Sequence, residues 1–294
     1  MTRISKPFLK IAAWFAKVLP DSIKRLLYRI PFLAKPIRSA LNAAAPRGIT
    51  EITIAAGPAK GLRMALDLQS EKDYWLGTYE PNLRQAAQKW IKPGDVIYDV
   101  GANVGYISLL ASNLAGRGGH VFAFEALPAN IQRLTANISL NNLSNQVTIT
   151  HAAVTGENTP VTFYMHKSGA MGKAEGSAGR DENYQDSITV DGLTLDHFVF
   201  TKKNPAPSLI KLDIEGGEGN ALLGAKELLA THTPILLIEL HGKVAAREVW
   251  GSLRAHQYNI HALQPGYPSI NNLDQLDWKA YILAIHPSKM NGLT

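Results

Sequence analysis

The chain reads as an α/β protein built on a mostly parallel, doubly wound sheet, and three observations predict it. Apolar strand-like runs near 96–100, 120–125, 147–152, 208–214 and 234–240 alternate with helical stretches near 104–115, 127–141, 219–230 and 243–255. That is the βαβ rhythm of a parallel sheet. The first of these strands runs directly into Gly101-Ala-Asn-Val-Gly105 and then a helix, the turn such sheets use to hold a ligand. Candidate strands near 258–263 and 279–285 suit an antiparallel closing pair.

In chain order, residues 1–48 form a basic arm. Ser5 and Pro7 are fit to start a helix, with Phe8, Ile11, Phe15, Val18 and Leu19 on one face. Pro20 stops it, Asp21 is placed to cap a second helix, and Pro31 ends that one. Residues 49–294 read as one domain with its core at 94–285. Ile49–Gly57 and Leu62–Leu68 look like two short strands around Gly57-Pro58, and Asn82–Trp90 looks helical. Residues 155–207 break the rhythm as an insertion, with candidate strands Pro160–Met165 and Ser187–Val190 around a Gly-rich stretch. A mobile lid and a surface loop both fit that composition.

Composition narrows the function. The 294 residues are 46% hydrophobic, enough for a full core and unlike a disordered or fibrous chain. Without cysteine there is no disulfide framework, zinc-thiolate site, iron–sulfur cluster or thiol nucleophile, which fits a reducing cytoplasm. The net charge is +6, but residues 1–48 hold ten Lys/Arg against Asp21, so the arm is +9 and the remainder −3. A net acidic body argues against specific nucleic-acid binding. Basic faces opposite Trp, Phe and Leu leave two readings of the arm: helices packed on the domain, or peripheral contact with an anionic membrane. Lys10, Lys17, Lys24 and Arg29 interrupt every apolar run there, so neither a membrane span nor a secretory signal is expected.

The chemistry concentrates in three blocks. In Val96-Ile-Tyr-Asp-Val-Gly-Ala-Asn-Val-Gly105, Gly101 permits a sharp turn and Gly105 a close approach of the helix to a ligand. Asp99 is placed to hold that loop or to reach a ligand amino group. Val121-Phe-Ala-Phe-Glu125 ends in an acid about 20 residues beyond the first glycine, where a ribose-binding carboxylate belongs. A dinucleotide loop needs glycine where Asn103 stands, to let pyrophosphate approach. S-adenosylmethionine carries no phosphate and suits the loop better, so Asp99, Gly101, Ala102, Asn103, Gly105, Glu125 and Ala126 are its candidate binding residues.

The third block is Leu209-Ile-Lys-Leu-Asp-Ile-Glu-Gly-Gly-Glu218. Strand alternation projects Lys211, Asp213 and Glu215 to one side, at the carboxyl end where open α/β sheets hold ligands. Glu239 and His241 form a second i, i+2 pair on the adjacent strand. Three acids and a histidine are thus expected to converge, with Lys211 as the ion-pair partner of Asp213.

Together these blocks resemble the FkbM family of methyltransferases over roughly Asp73 to His241. The resemblance includes Gly77-Thr-Tyr-Glu-Pro81, the Asp-Val-Gly-Ala-Asn-Val-Gly loop, Phe-Glu-Ala-Leu-Pro128, Thr194-Leu-Asp196 and the Ile-Lys-Leu-Asp-Ile-Glu-Gly-Gly-Glu218 block, the most specific to the family. It implies a class I methyltransferase with a Rossmann-like fold, acting on hydroxyls of sugars or other small metabolites. It also implies that Glu80 closes over the methionine end of the cofactor.

Methyl transfer from a sulfonium is mostly alignment, but a hydroxyl acceptor must lose its proton. His241 or Asp213 is expected to take it, with Glu215 and Glu239 positioning the acceptor. The unperturbed pKa of histidine favours His241. The oxygen-rich cluster is compatible with a divalent ion, but no metal ligand is assigned. The expected partner is a small-molecule acceptor, glycans and glycolipids included. Two alternatives stay open: methylation of nitrogen or of a macromolecule, and a non-catalytic, membrane-recruited module. The missing Asp/Asn-Pro-Pro-Tyr/Phe motif weakens the first, and the retained Asp99, Glu125 and Asp213 weaken the second.

Overall fold

A computed structural model describes residues 14, 15, 18, 19, 39, 41, 43–166, 172–177 and 184–292. Most of the expected arm lies outside these residues. Of its described positions, Trp14, Phe15 and Val18 are exposed, whereas Leu41 and Ala45 are buried in the same core as Ile52 and Met64. The packed unit therefore begins ahead of Ile49. No helix among the described residues is long and apolar enough to cross a membrane.

The chain opens with the antiparallel pair β1 (Ile49–Thr53) and β2 (Arg63–Asp67), followed by α1 (Lys72–Leu76) and α2 (Pro81–Trp90). Then come β3 (Val96–Val100), α3 (Tyr106–Ala115), β4 (His120–Glu125), α4 (Pro128–Leu140) and β5 (Val147–His151). The insertion holds β6 (Ala153–Val154), β7 (Val161–His166), β8 (Gly172–Ala174), β9 (Tyr184–Val190) and β10 (Gly192–Leu193). After it come β11 (Leu209–Leu212), α5 (Glu218–Leu223), α6 (Lys226–Thr231), β12 (Ile235–Glu239) and α7 (Lys243–Ala255). The end is β13 (Asn259–Ala262), β14 (Ser269–Ile270) and β15 (Tyr281–Ile285).

The central sheet has eight strands in the order β14-β13-β15-β12-β11-β3-β4-β5. β5, β4, β3, β11 and β12 run parallel, while β15 joins β12 antiparallel and β13 joins β15 antiparallel. Strand alternation sorts the core into two layers. Val121 and Ala123 face one layer with Leu83, Leu109 and Leu134 of α2, α3 and α4, and Phe122 and Phe124 face the other with Leu228 and Val249 of α6 and α7. Burial on both faces explains why these strands read as unbroken apolar runs. Because the order reverses at β3, a crevice opens at the carboxyl ends of β3, β4 and β11, the usual ligand position in such sheets.

Three expectations need correction. The helix expected near 219–230 is two short helices, and Asp196 starts the second by accepting the amide N–H groups of Glu227 (3.0 Å) and Leu228 (2.8 Å). In the insertion, the described residues add a strand beyond the two expected, β8: β7, β8 and β9 form their own antiparallel sheet, with Val161 opposite Val190. The third concerns β11, which stops at Leu212. Asp213 still lies on the Lys211 side, its Oδ2 3.6 Å from Lys211 Nζ, but Glu215 does not continue the alternation, because it adopts φ 53° and Gly216 φ 99°. A turn brings Glu215 to the site.

Candidate active site

A cavity of about 610 Å³ occupies the crevice, within the size range of small-molecule sites. Its floor comes from the loops after β3, β4, β11 and β12, and one wall from the insertion through Val161, Phe163, Gly172 and Ala174.

The loop after β3 is built by close backbone packing. Gly101 has φ 77°, and a Cβ there would lie 1.9 Å from the carbonyl oxygen of Asp213. No other residue fits, so the turn is pressed directly against the β11 loop. The amides of Gly101 and Ala102 both donate to the Phe124 carbonyl, at 3.0 and 2.9 Å. Asn103, in the left-handed region at φ 50°, donates its N–H to Glu125 Oε2 at 2.7 Å. Glu125 Oε1 accepts from Ala126 N (3.1 Å), Leu127 N (2.9 Å) and Asn130 Nδ2 (3.3 Å). Each carboxylate oxygen offers about two acceptor positions, and Oε2 takes only one of these donors, so it retains capacity for a ligand hydroxyl. Burial pushes the Glu125 carboxyl above its usual range, opposed by these hydrogen bonds.

Of the expected cofactor-binding residues, Glu80, Gly101, Ala102, Asn103, Glu125 and Ala126 line the cavity. Gly105 and Asp99 are not among its lining residues. Gly105 adopts φ 91°, and a Cβ there would also lie 2.5 Å from Leu134 Cδ1 of α4. Asp99 is fully buried, accepts from Ser108 Oγ at 2.6 Å and faces Lys211 Nζ at 3.4 Å. It braces the loop, one of the two roles its position allowed. Glu80 precedes α2 at φ 37°, its carboxyl raised by burial and then by the charge of Asp213.

Across the cavity, Asp213, Glu215, Glu239 and His241 come together as the sequence suggested. His241 Nε2 lies 3.8 Å from Asp213 Oδ1, 3.8 Å from Glu215 Oε2 and 3.7 Å from Glu239 Oε1. Lys211 is buried and central. Its Nζ is 3.6 Å from Asp213 and 3.4 Å from Asp99, and it donates to the carbonyls of Val100 (3.2 Å) and Gly101 (2.7 Å). It therefore ties the two halves of the site together, beyond the single pairing expected for it.

The sequence reading missed two neighbours. Tyr281 on β15 donates to Asp213 Oδ2 at 2.9 Å. Glu218, wholly buried, binds His241 Nδ1 at 2.9 Å. Only the position of Glu218 at the end of the third block signalled it; nothing local marked Tyr281, which arrives by antiparallel pairing. An aromatic group was missed too: Tyr74, Tyr79 and Tyr106 line the cavity with ring centroids 4.6–5.7 Å apart.

These contacts set the protonation states. Burial opposes charge on His241, but the hydrogen bond and charge of Glu218, with Asp213 and Glu215, raise it to about 9. Burial and then the charge of Asp213 push Glu239 up to about 7. Asp213 is held below its ordinary value: burial disfavours its charge, but Lys211 and His241 outweigh that. The ligand atoms of Asp213, Glu239 and His241 lie within 4.8 Å of one another, close enough to surround a cation. Lys211 and the imidazolium already supply positive charge there, and no ion is assigned.

The Methyltransferase FkbM domain family matches residues 99–260. Hexuronic acid methyltransferase AglP of Haloferax volcanii is 27% identical over 155 residues, which is 53% of this chain and 59% of that protein. The 31-O-demethyl-FK506 methyltransferase FkbM of Streptomyces tacrolimicus is 26% identical over 246 residues, covering 74% of this chain and 89% of that one. A solved methyltransferase FkbM from Methylobacillus flagellatus aligns with 16% identity and a TM-score of 0.45, covering 86% of this chain and 58% of that chain. The chain thus spans less than two thirds of AglP and of that solved chain. The fold and the paired glycine-loop and acidic halves of the site define a class I, S-adenosylmethionine-dependent methyltransferase domain. The chain belongs to the FkbM methyltransferase family.

Proposed function

We propose that the domain transfers a methyl group from S-adenosylmethionine to a hydroxyl of a sugar or other small metabolite, and that Glu239 takes the hydroxyl proton. The relatives support the acceptor class: one is named for a hexuronic acid and the other for an oxygen position of a small metabolite. The chain's own residues fit the donor, with Asn103 standing where a dinucleotide loop needs glycine, acceptor capacity on Glu125 and a cavity of matching scale.

Bound S-adenosylmethionine supplies a methyl group on a positively charged sulfur. The protein's task is to align an oxygen with that carbon and remove the proton. Glu239 is the residue suited to it, because its carboxyl is held near 7 by burial beside Asp213, close to the pH at which a general base works best. His241 is an imidazolium at neutral pH and gathers the surrounding carboxylates. Asp213, stabilised by Lys211 and Tyr281, is a weak base and a good hydrogen-bond acceptor for a second hydroxyl. This moves the proton from His241 or Asp213, the sequence expectation, to Glu239. As the oxygen–carbon bond forms and the sulfur–carbon bond breaks, the hydroxyl proton passes to the Glu239 carboxylate.

The test is S-adenosylhomocysteine production from S-adenosylmethionine across a panel of glycosides and other polyols, with wild type and Glu239→Gln. O-methyl products from wild type and none from a variant that still binds S-adenosylhomocysteine support the assignment. Full activity in Glu239→Gln overturns it.

Peripheral contact with an anionic membrane belongs to the same proposal. The +9 arm and the exposure of Trp14 and Phe15 support it. Sedimentation with phosphatidylserine-containing but not neutral vesicles is the expected outcome; equal recovery with both removes this part.

A further inference from the structure

Glu218, like Asp99, is a fully buried acid beside the site, and it is not among the cavity-lining residues. A buried carboxylate is costly unless it is paired and hydrogen-bonded. Its Oε1 collects three donors: His241 Nδ1 at 2.9 Å, Gly216 N at 3.0 Å and Ile214 N at 3.3 Å. The two amides belong to the turn that delivers Asp213 and Glu215. The imidazole stands just beyond β12, which delivers Glu239. One carboxylate oxygen therefore joins the loop after β11 to the loop after β12 at the point where the acids converge. The two amides close the turn, and the imidazole is the donor to Oε1 from outside it.

Binding at Nδ1 also settles what the other nitrogen does. Nε2 is left facing Asp213, Glu215 and Glu239, all within 3.8 Å. We infer that Glu218 is a positioning residue: acting through Nδ1 of His241, it fixes the imidazole so that Nε2 holds the three cavity carboxylates in one arrangement. The mechanistic use of that arrangement rests on the methyl-transfer reading above, but the positioning itself does not. This follows the general logic by which a carboxylate on one imidazole nitrogen sets the orientation and protonation of the other.

Every group that faces His241 bears on the test. Glu218 lies on α5, Asp213 and Glu215 on the turn after β11, and Glu239 on β12; Lys211 and Tyr281 act through Asp213. If the three cavity acids alone held the imidazole, removing Glu218 would leave its charge and orientation in place. If Glu218 holds it, the isosteric Glu218→Gln, which retains an oxygen for the two amides, would change both.

The experiment is nitrogen-15 NMR of the full chain labelled at its nine histidines, with His241 assigned by comparison with His241→Asn. In wild type, both ring nitrogens of His241 should carry protons at pH 7, with Nδ1–H visible as a slowly exchanging downfield signal. In Glu218→Gln the titration midpoint should fall by about one to two units, and methyl transfer should drop with unchanged affinity for S-adenosylhomocysteine. A wild-type midpoint at the ordinary histidine value, no protected Nδ1–H, or an unchanged midpoint in Glu218→Gln overturns the inference. The wild-type signals decide it even if Glu218→Gln does not fold. Protein that shows them yet binds no S-adenosylhomocysteine would sink the methyltransferase reading and leave the positioning role intact.

Discussion

The two halves of the cavity hold their carboxylates in opposite ways. On the β3–β4 side, Glu125 is satisfied by three backbone amides and one side-chain amide, none of which titrates. On the β11–β12 side, Asp213, Glu215 and Glu239 face His241, and Asp213 also faces Lys211 and Tyr281. Backbone donors are fixed by the fold and keep their charge state at any pH. Side-chain partners exchange protons, so their geometry and charge respond to conditions. Under the proposed reading, one half binds the donor and the other handles the acceptor proton, so one crevice would hold a ligand steadily while it moves a proton.

The largest effect that would break this division comes from Glu239→Gln. It removes the proposed base and should lower methyl transfer by about 10²–10⁴-fold, with calorimetric binding of S-adenosylhomocysteine preserved. Binding lost in step with the rate would show the halves to be one unit. Glu125→Ala is the converse. Losing charge-assisted hydrogen bonds should weaken S-adenosylhomocysteine binding by roughly 10–100-fold, with the pH midpoint of any residual rate unmoved.

A pH series sharpens the contrast. The base works when deprotonated, so the rate should rise with pH through a midpoint near 7 as Glu239 loses its proton. Affinity for S-adenosylhomocysteine should stay flat over the same range. The smallest effect is on stability. His241 is raised from 6.5 to about 9 in the folded protein, so between those values the native state binds more protons than the unfolded chain. Its contribution is complete below pH 6.5 and is lost as pH rises through about 9. Urea midpoints should fall across that window in wild type and less so in His241→Asn, while the raised Glu239 acts at lower pH.

Legibility followed the same division. The β3 loop and Glu125 were readable because their requirements are local: a glycine with positive φ, a strand ahead of it, a helix behind it, and an acid at the end of the next strand. Even there, Gly105 carries a requirement the sequence did not show, since packing against Leu134 of α4 leaves no mark at position 105 itself. Asp213, Glu215, Glu239 and His241 were found as acids and a histidine near strand ends, but the route was misjudged. β11 ends early, and the turn at Glu215 and Gly216 completes the cluster. The protonation order could not be read at all, because the ordinary pKa of a histidine says nothing about Glu218, buried at the start of α5 and remote in sequence from His241.

By itself, the sequence determined the sheet class, the order of βαβ units, the antiparallel close and the positions of both site halves, because periodicity and turn chemistry act over a few residues. Tertiary structure decided which acids face which cations. It set Asp99 against Ser108 and Lys211, brought Tyr281 onto Asp213, and buried Glu218 behind His241. Charge in a buried site depends on distance and solvent exclusion, and both exist only once strands remote in the chain lie side by side.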